Sequence, residues 1–155
     1  MTRPVHVRLA VSADLDAVAR KFHALWPDGS LAEHEEEACA ILAGSPPSSM
    51  PLVVFVAEVN GQVVGFIEVG LRSHADGCDG RQPVGFVEGW YVEPEHQRRG
   101  VGRALIGAAE EWARSQGCTE IASDTWIDNE PSQRAHEALS FEVVDRCVHY
   151  RKALR

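Results

Sequence analysis

The sequence predicts a mixed fold, of the α/β or α+β class, in which strands and helices alternate within one domain of residues 1–155. Short runs rich in β-branched residues alternate with segments whose apolar residues recur at helical spacing. Asn60 and Gly61 join two such runs, and Asn-Gly is the strongest short signal for a β-hairpin. A glycine-rich turn, residues 97–103, separates a strand-like run from a helical one. A chain of 155 residues, 45% of them hydrophobic, fits a single core.

The first part of the chain is expected to hold one strand and two helices. After a strand at residues 5–9, Ser12 caps a helix that runs through Leu25 and stops near Trp26 and Pro27. Ser30 and Glu33 have the spacing of a capping box, which predicts a second helix ending near Leu42. A connector rich in proline and serine follows.

The rest of the chain alternates strands and helices. The predicted elements are a hairpin of residues 52–59 and 63–71, an irregular loop at 72–83, a strand at 84–92, a helix from 101 to a stop at Gly117, a strand at 119–126, a short helix at 131–139 and a final strand at 141–150.

Charge and cysteine usage exclude several classes of protein. The formal net charge is -8, which disfavours nucleic acid as a partner and favours a cationic one. Cys39, Cys78, Cys118 and Cys147 are widely spaced, so neither a disulfide scaffold nor a metal site is expected. No apolar run approaches the length of a membrane span, and residues 1–6 lack the core of a signal peptide. We therefore expect a cytoplasmic protein with no membrane partner.

The glycine-rich turn is suited to binding a phosphate group. Gly100 and Gly102 permit a tight turn that leaves unpaired N–H groups at the start of a helix. The third glycine of a dinucleotide-binding fingerprint is missing, and no Walker-type string occurs in the chain. The alternatives that remain are a pyrophosphate-binding turn and an ordinary surface turn.

The pattern Gln-x-x-Gly-x-Gly, beginning at Gln97 and placed between strand and helix, resembles the acyl-CoA-binding motif of the GCN5-related N-acetyltransferases (GNAT). More specific strings resemble one branch of that family, the aminoglycoside 6'-N-acetyltransferases. These strings are Leu25-Trp26-Pro27, Gly77-Cys78-Asp79, residues 87–92, Gly117 to Thr125, and Asn129 with Ser132, Gln133 and His136.

The resemblance spans the chain and implies a fold and partners. It implies a central mixed, mostly antiparallel sheet flanked by helices, splayed between the strands ending near Val92 and Trp126. It also implies acetyl-CoA as cosubstrate without a metal, an aminoglycoside as the small cationic substrate, and a homodimer.

The resemblance assigns cofactor-binding residues along the glycine-rich turn. The backbone around Tyr91 and Val92 is expected to pair with the pantetheine arm, and Asn129 to contact it. The pyrophosphate is expected to lie against Arg98, Arg99, Gly100, Val101, Gly102 and Arg103.

Three side chains are the catalytic candidates. An ammonium has no lone pair with which to attack a thioester, so a base must remove its proton. Glu88 is the first candidate for the base or for holding a water, and Asp124 is the second. His136 occupies the position where many relatives carry a tyrosine acid, and it is either an acid or a packed, hydrogen-bonding histidine.

Acceptor recognition is expected to rest on carboxylates and an aromatic surface. Trp26 is the aromatic candidate, and its alternative role is in the core. His74 stands where relatives carry a tyrosine in the loop after the third strand. The carboxylate candidates are Asp76, Asp79, Glu88 and Asp124, with Glu33 and Glu36 on nearby segments.

Three functions stay open at this point. The first is aminoglycoside 6'-N-acetylation, and the second is acetylation of another polyamine, small amine or peptide. The third is a non-catalytic acyl-CoA-binding domain, against which the presence of both Glu88 and Asp124 beside the turn speaks.

Overall fold

The computed structural model describes residues 3–155; Met1 and Thr2, part of the predicted domain, lie outside the described residues. The strands are β1 (His6–Leu9), β2 (Leu52–Val59), β3 (Gln62–Arg72), β4 (Val84–Val92) and β5 (Ile121–Ser123). The α-helices are α1 (Leu15–Leu25), α2 (Leu31–Leu42), α3 (Val101–Ser115) and α4 (Glu130–Ala138).

The five strands form one sheet in chain order, β1-β2-β3-β4-β5. The first four are antiparallel neighbours, whereas β4 and β5 are parallel. A parallel neighbour needs a crossover connection, and α3 supplies it between β4 and β5. The predicted fold class, a mixed and mostly antiparallel sheet flanked by helices, is confirmed.

The hairpin between β2 and β3 turns at the predicted dipeptide. Asn60 has φ 53° and Gly61 has φ 77°. Two consecutive positive φ values are the signature of a type I′ turn, whose twist matches that of the strands it joins.

Helices cover both faces of the sheet and divide the core in two. On one face α1 and α2 pack over Val54, Val56 and Phe66, with Phe22 fully buried between the layers. On the other face α3 buries Leu105 and Ile106 against Ile67, Val69 and Val87. Each such large side chain stabilises the fold by about 1.5–3 kcal/mol through burial.

The capping box predicted for α2 is present. The Ser30 hydroxyl accepts from the Glu33 N–H at 3.1 Å, and the Ser30 N–H donates to the Glu33 carboxylate at 3.3 Å. Two of the N–H groups left unpaired at the start of α2 are therefore satisfied.

Two of the predicted strands need correction. The strand expected at residues 119–126 is β5, which ends at Ser123 because β4 and β5 stop pairing there. The strand expected at residues 141–150 does not form: these residues pair with no other strand in the described chain, and Val143, Val148 and Tyr150 are exposed. Alternating apolar residues make a strand only where a partner edge is within hydrogen-bonding reach.

The described residues contain no helix long and apolar enough to cross a membrane. Within residues 3–155 no group of three or more His, Cys, Asp or Glu side chains is placed to hold a metal ion. All four cysteines are free thiols.

Candidate active site

The candidate site lies where the parallel strands separate. β4 and β5 pair only from Gly85 with Ile121 to Val87 with Ser123, while β4 continues beside β3 as far as Val92. A register shift between Glu68 and Val69 leaves Glu88 as the extra residue of a β-bulge. Glu88 and Asp124 are thus the first residues after the last paired positions of the two strands. The splay predicted by the sequence starts here, upstream of Val92.

An arginine that the sequence reasoning overlooked holds Glu88. Arg72, the last residue of β3, donates from Nε and Nη2 to the two Glu88 carboxylate oxygens, both at 2.8 Å. The guanidinium also lies 3.5 Å from the ring centroid of Phe86. The hydrogen bond to Glu88 raises the pKa of Arg72, and the charge of Asp124 adds to that shift. Glu88 and Asp124 therefore share the field of one cation.

A buried carboxyl lies beside this pair. Glu68, in the middle of β3, is only 4% exposed. Burial raises the pKa of Glu68 to about 8, and the charges of Glu37 and Glu88 add to the effect. We call Glu37, Glu68, Glu88 and Asp124 the acidic cluster. Among the described residues Arg72 is its one salt-bridged cation, because Glu88 alone of the four forms a salt bridge.

Trp26 forms an aromatic wall next to the cluster. It caps the C-terminus of α1, is half-buried, and meets Phe22 edge to face at 5.3 Å between ring centroids. A Cβ on Gly89 would lie 2.5 Å from Cη2 of Trp26. The indole therefore rests on the backbone of β4 directly after Glu88, where only glycine leaves it room.

The start of α3 has the geometry of an anion site. Gly100 has φ 85° and open space where a Cβ would lie. The Ala104 N–H makes the first helical bond, to the Gly100 carbonyl, and no side chain in the described part of the chain caps the helix. The N–H groups of Val101, Gly102 and Arg103 precede that bond and have no partner within the helix.

Charge and packing support the same interpretation of the turn. Arg98, Arg99 and Arg103 are exposed, and none of them forms a salt bridge within residues 3–155. A Cβ on Gly102 would lie 3.1 Å from the Trp90 ring, so glycine lets α3 approach β4 closely. These residues fit a pyrophosphate in both charge and available donors.

The end of β4 offers backbone groups rather than side chains. Beyond Val87 its outer edge has no partner strand among the described residues. The Tyr91 ring stacks on Phe66 at 6.2 Å, which turns the side chain toward the α1 and α2 layer. The Gln97 side-chain amide donates to the Val92 carbonyl at 3.0 Å. Pairing of the Tyr91 and Val92 main chain with the pantetheine arm stays a prediction.

His136 is held by both ring nitrogens. Nδ1 donates to the Ser132 carbonyl at 2.7 Å, and Nε2 is 2.8 Å from the Ser123 hydroxyl. When the ring is neutral, Nε2 accepts the proton of that hydroxyl. The ring also packs edge to face against Trp90 and Phe141. This geometry suits positioning of Ser123, one residue before Asp124, better than direct proton donation.

Asn129 begins α4. Its side-chain oxygen accepts from the Ser132 N–H at 3.2 Å, as an N-cap does. Contact with pantetheine stays a prediction for this residue.

The loop of residues 73–83 lies apart from the acidic cluster, although acceptor-binding residues are predicted in this loop. The Asp79 carboxylate pairs with Arg81 at 2.9 Å, and the Asp79 N–H donates to the Glu120 carboxylate at 2.8 Å. Glu120 lies at the opposite end of β5 from Asp124. His74 and Asp76 are exposed, and His74 Nδ1 is 3.0 Å from the Ser73 hydroxyl. Acceptor contacts from His74, Asp76 and Asp79 stay predictions.

The sequence reasoning missed Glu68 and Arg72, although the sequence contained a signal for Glu68. Glu68 is an acidic residue inside the apolar run of β3, and acidic residues are rarely fully buried unless they are paired. Arg72 gave no comparable signal, because a basic residue at a strand end is commonplace. Its importance depends on the distance to Glu88 across the sheet.

Comparison with known proteins agrees with this geometry. Residues 13–141 match the Acetyltransferase (GNAT) family. The chain is 44% identical over 130 residues to an aminoglycoside N(6')-acetyltransferase type 1 of Klebsiella aerogenes, covering 84% of each protein. It is 44% identical over 143 residues to the protein of that name from Serratia marcescens, covering 91% of this chain and 94% of the other.

Solved structures give the same result. AAC(6')-Iy in complex with the bisubstrate analog CoA-S-monomethyl-acetylneamine superposes with a TM-score of 0.87 at 34% identity, covering 97% of this chain and 99% of that one. The apo 6'-N-acetyltransferase AAC(6')-IG of Acinetobacter haemolyticus gives 0.85 at 32% identity, with the same coverage. With its splayed strands, its uncapped helix start and these relatives, the chain belongs to the GNAT acetyltransferase family.

Proposed function

We propose that this protein transfers the acetyl group of acetyl-CoA to the 6'-amino group of aminoglycosides. One observation carries the proposal: the cleft between β4 and β5 has the acidic cluster on one side and the uncapped, arginine-rich start of α3 on the other. An anionic donor and a polycationic acceptor each meet the charge they need. The relatives at 44% identity carry the corresponding activity in their names.

On the donor side, acetyl-CoA supplies a thioester as the acyl donor. The N–H groups of Val101, Gly102 and Arg103 would hold its pyrophosphate, with the exposed arginines adding charge. The free edge of β4 would hold its pantetheine arm by main-chain hydrogen bonds, in the manner of an added strand.

On the acceptor side, Asp124 and Glu88 take different tasks. Both Glu88 oxygens are occupied by Arg72, whereas Asp124 is exposed and forms no salt bridge within residues 3–155. We assign proton removal from the ammonium to Asp124, directly or through one water. Glu88 binds the amine in the orientation that Arg72 sets. His136 fixes the Ser123 hydroxyl beside them.

The test is a matched pair of acceptors. Neomycin and paromomycin differ in carrying an amine or a hydroxyl at the 6' carbon, so thiol release from acetyl-CoA with neomycin alone supports the proposal. Turnover of both drugs would indicate that the acetyl group is transferred to a group other than the 6'-amine. Turnover of spermidine or a lysine peptide alone would move the protein to another acceptor class, and CoA binding without turnover of any amine would make it non-catalytic.

Two amide variants test the division of labour. Asp124→Asn should lower kcat at every pH, while Glu88→Gln should raise KM for neomycin more than it lowers kcat. Glu111→Gln is the matched control, because Glu111 is an exposed carboxylate on α3, away from the cleft. Equal effects of the two cleft variants on both constants would contradict the assignment.

We also propose that the protein is a homodimer in the cytoplasm, folded as one domain of residues 1–155. Residues 141–155 carry exposed Val143, Val144, Val148, Tyr150 and Leu154, and a second copy would cover such a segment. Light scattering after gel filtration should give twice the mass of one chain, and Val148→Lys should reduce it. A wild-type protein with the mass of one chain would contradict the dimer.

A further inference from the structure

Glu68 is a buried carboxyl that the proposed reaction does not use. It pairs across the sheet with Val54 on β2 and with Gly89 on β4. Paired residues of antiparallel strands project on the same face, and Val54 belongs to the core under α1 and α2. Glu68 therefore projects toward the helices that carry Trp26 and Glu37. Its Oε2 is shielded from solvent and has no hydrogen-bond partner among residues 3–155.

The groups around Glu68 leave it without a cation. From α2 the charge of Glu37 acts on Glu68, and on the same helix the His34 Nε2 is engaged with the Trp26 carbonyl at 2.9 Å. On α1 the buried cation Lys21 is paired with Glu93 at 3.3 Å. From β4 the charge of Glu88 acts on Glu68, and β2 presents Val54. Arg72, on β3 itself, is committed to Glu88. No cationic side chain in residues 3–155 forms a salt bridge with Glu68.

Such a carboxyl holds its proton at neutral pH, because an unpaired buried carboxylate among like charges is unfavourable. The missing cation has the chemistry of the acceptor, a polyamine that carries several ammonium groups. We propose that Glu68 is an acceptor-binding carboxyl, which stores a proton in the free enzyme and releases it to solvent when an ammonium group of the acceptor enters the cleft. The O–H bond breaks, the proton goes to the buffer, and the carboxylate left behind pairs with the ammonium.

This inference rests on the proposed function, since it takes an aminoglycoside as the ligand. It predicts that acceptor binding releases a proton from Glu68. Glycine at position 89 and the Trp26 indole above it leave the face next to Glu68 free of any other side chain from β4. The acceptor would therefore contact a carboxyl that is more deeply buried than those of Glu88 and Asp124.

The test counts the protons released on binding. Paromomycin, which has no 6'-amine to acetylate, is titrated into the protein by calorimetry at pH 7, in phosphate and in Tris buffer. Because the pKa of Glu68 is about 8, wild type should release about 0.9 of a proton more than Glu68→Gln does. The ratio of the variant's Kd to that of wild type should rise about 50-fold from pH 6 to pH 8, because the free wild-type enzyme must lose the Glu68 proton to bind. Glu111→Gln should release as many protons as wild type.

Equal proton release by wild type and Glu68→Gln would overturn the inference. If circular dichroism shows that Glu68→Gln does not fold, the wild-type count decides, and a release below about 0.3 of a proton overturns it. Neomycin turnover tests the proposed function separately. If wild type acetylates no aminoglycoside, that function fails, and the same count with spermidine decides the role of Glu68. Binding of neither polycation overturns both.

Discussion

Replacing Gly89 with alanine is the sharpest test of the acceptor wall. The added Cβ would lie 2.5 Å from Cη2 and 2.7 Å from Cζ2 of Trp26, and 3.3 Å from Cε2 of Phe66. Phe66 is fully buried, whereas Trp26 is half-buried at the end of α1. Trp26 is therefore the ring that moves.

The magnitude follows from the loss of that wall. An aromatic contact is worth about 0.5–1.5 kcal/mol beyond its buried area. KM for neomycin should therefore rise about 2- to 12-fold, since 1.4 kcal/mol corresponds to about tenfold. KM for acetyl-CoA should not change, because the start of α3 is untouched. If the indole cannot move, overpacking destabilises the fold by about 1–3 kcal/mol.

The assay is steady-state kinetics of thiol release together with urea unfolding. Gly107→Ala is the control: Gly107 lies in α3 with open space where its Cβ would be placed. Alanine there should stabilise the protein by about 0.5–1 kcal/mol and leave both KM values unchanged. Unchanged stability and unchanged KM for neomycin in Gly89→Ala would refute the contact between Trp26 and β4.

Three further predictions concern the ion pair, the buried carboxyl and the turn. Arg72→Ala should raise KM for neomycin about 10- to 100-fold and lower kcat less, because a charged hydrogen bond of about 1.5–3 kcal/mol orients Glu88, which binds the amine; a KM for neomycin equal to that of wild type would contradict this. Glu68 binds a proton in the folded state up to a pKa of about 8 but in the unfolded state only up to the model value of 4.5. Stability should therefore fall by up to about 1.4 kcal/mol per pH unit between these values, and urea unfolding of Glu68→Gln should show a shallower fall; equal slopes would argue against a raised pKa. Gly100→Ala places a side chain on a residue with left-handed backbone, which costs about 1–2 kcal/mol. If the turn changes conformation, calorimetry should show CoA binding about 5- to 30-fold weaker, and if the turn keeps its conformation, urea unfolding should show the same loss of stability. No change in either measurement would contradict the geometry of the turn.

Local signals predicted the parts of the fold that depend on neighbours in sequence. The Asn60-Gly61 turn and the capping box of Ser30 form as expected, because each is made by residues within a few positions of one another. The helix start after Gly100 belongs to the same class, since unpaired N–H groups are a property of a helix start; phosphate binding there stays a prediction.

Predictions that needed a distant partner succeeded less well. The segment 141–150 has the composition of a strand and forms none, because a strand exists only beside another edge. Acceptor binding by Asp79 stays a prediction, and the structure pairs its carboxylate with Arg81, in a loop that contacts the end of β5 opposite Asp124. The sequence around Asp79 does not indicate which end of β5 its loop approaches.

The sequence by itself determined the family and the position of two carboxylates at the strand ends, since these follow from motifs and from the order of the elements. Only the tertiary structure decided the partner of Glu88 and the environment of Glu68. Arg72 holds Glu88 across a bulge, and burial among carboxylates raises the pKa of Glu68 to about 8. Charge and pKa depend on the distances between side chains that are far apart in the chain, and folding alone sets those distances.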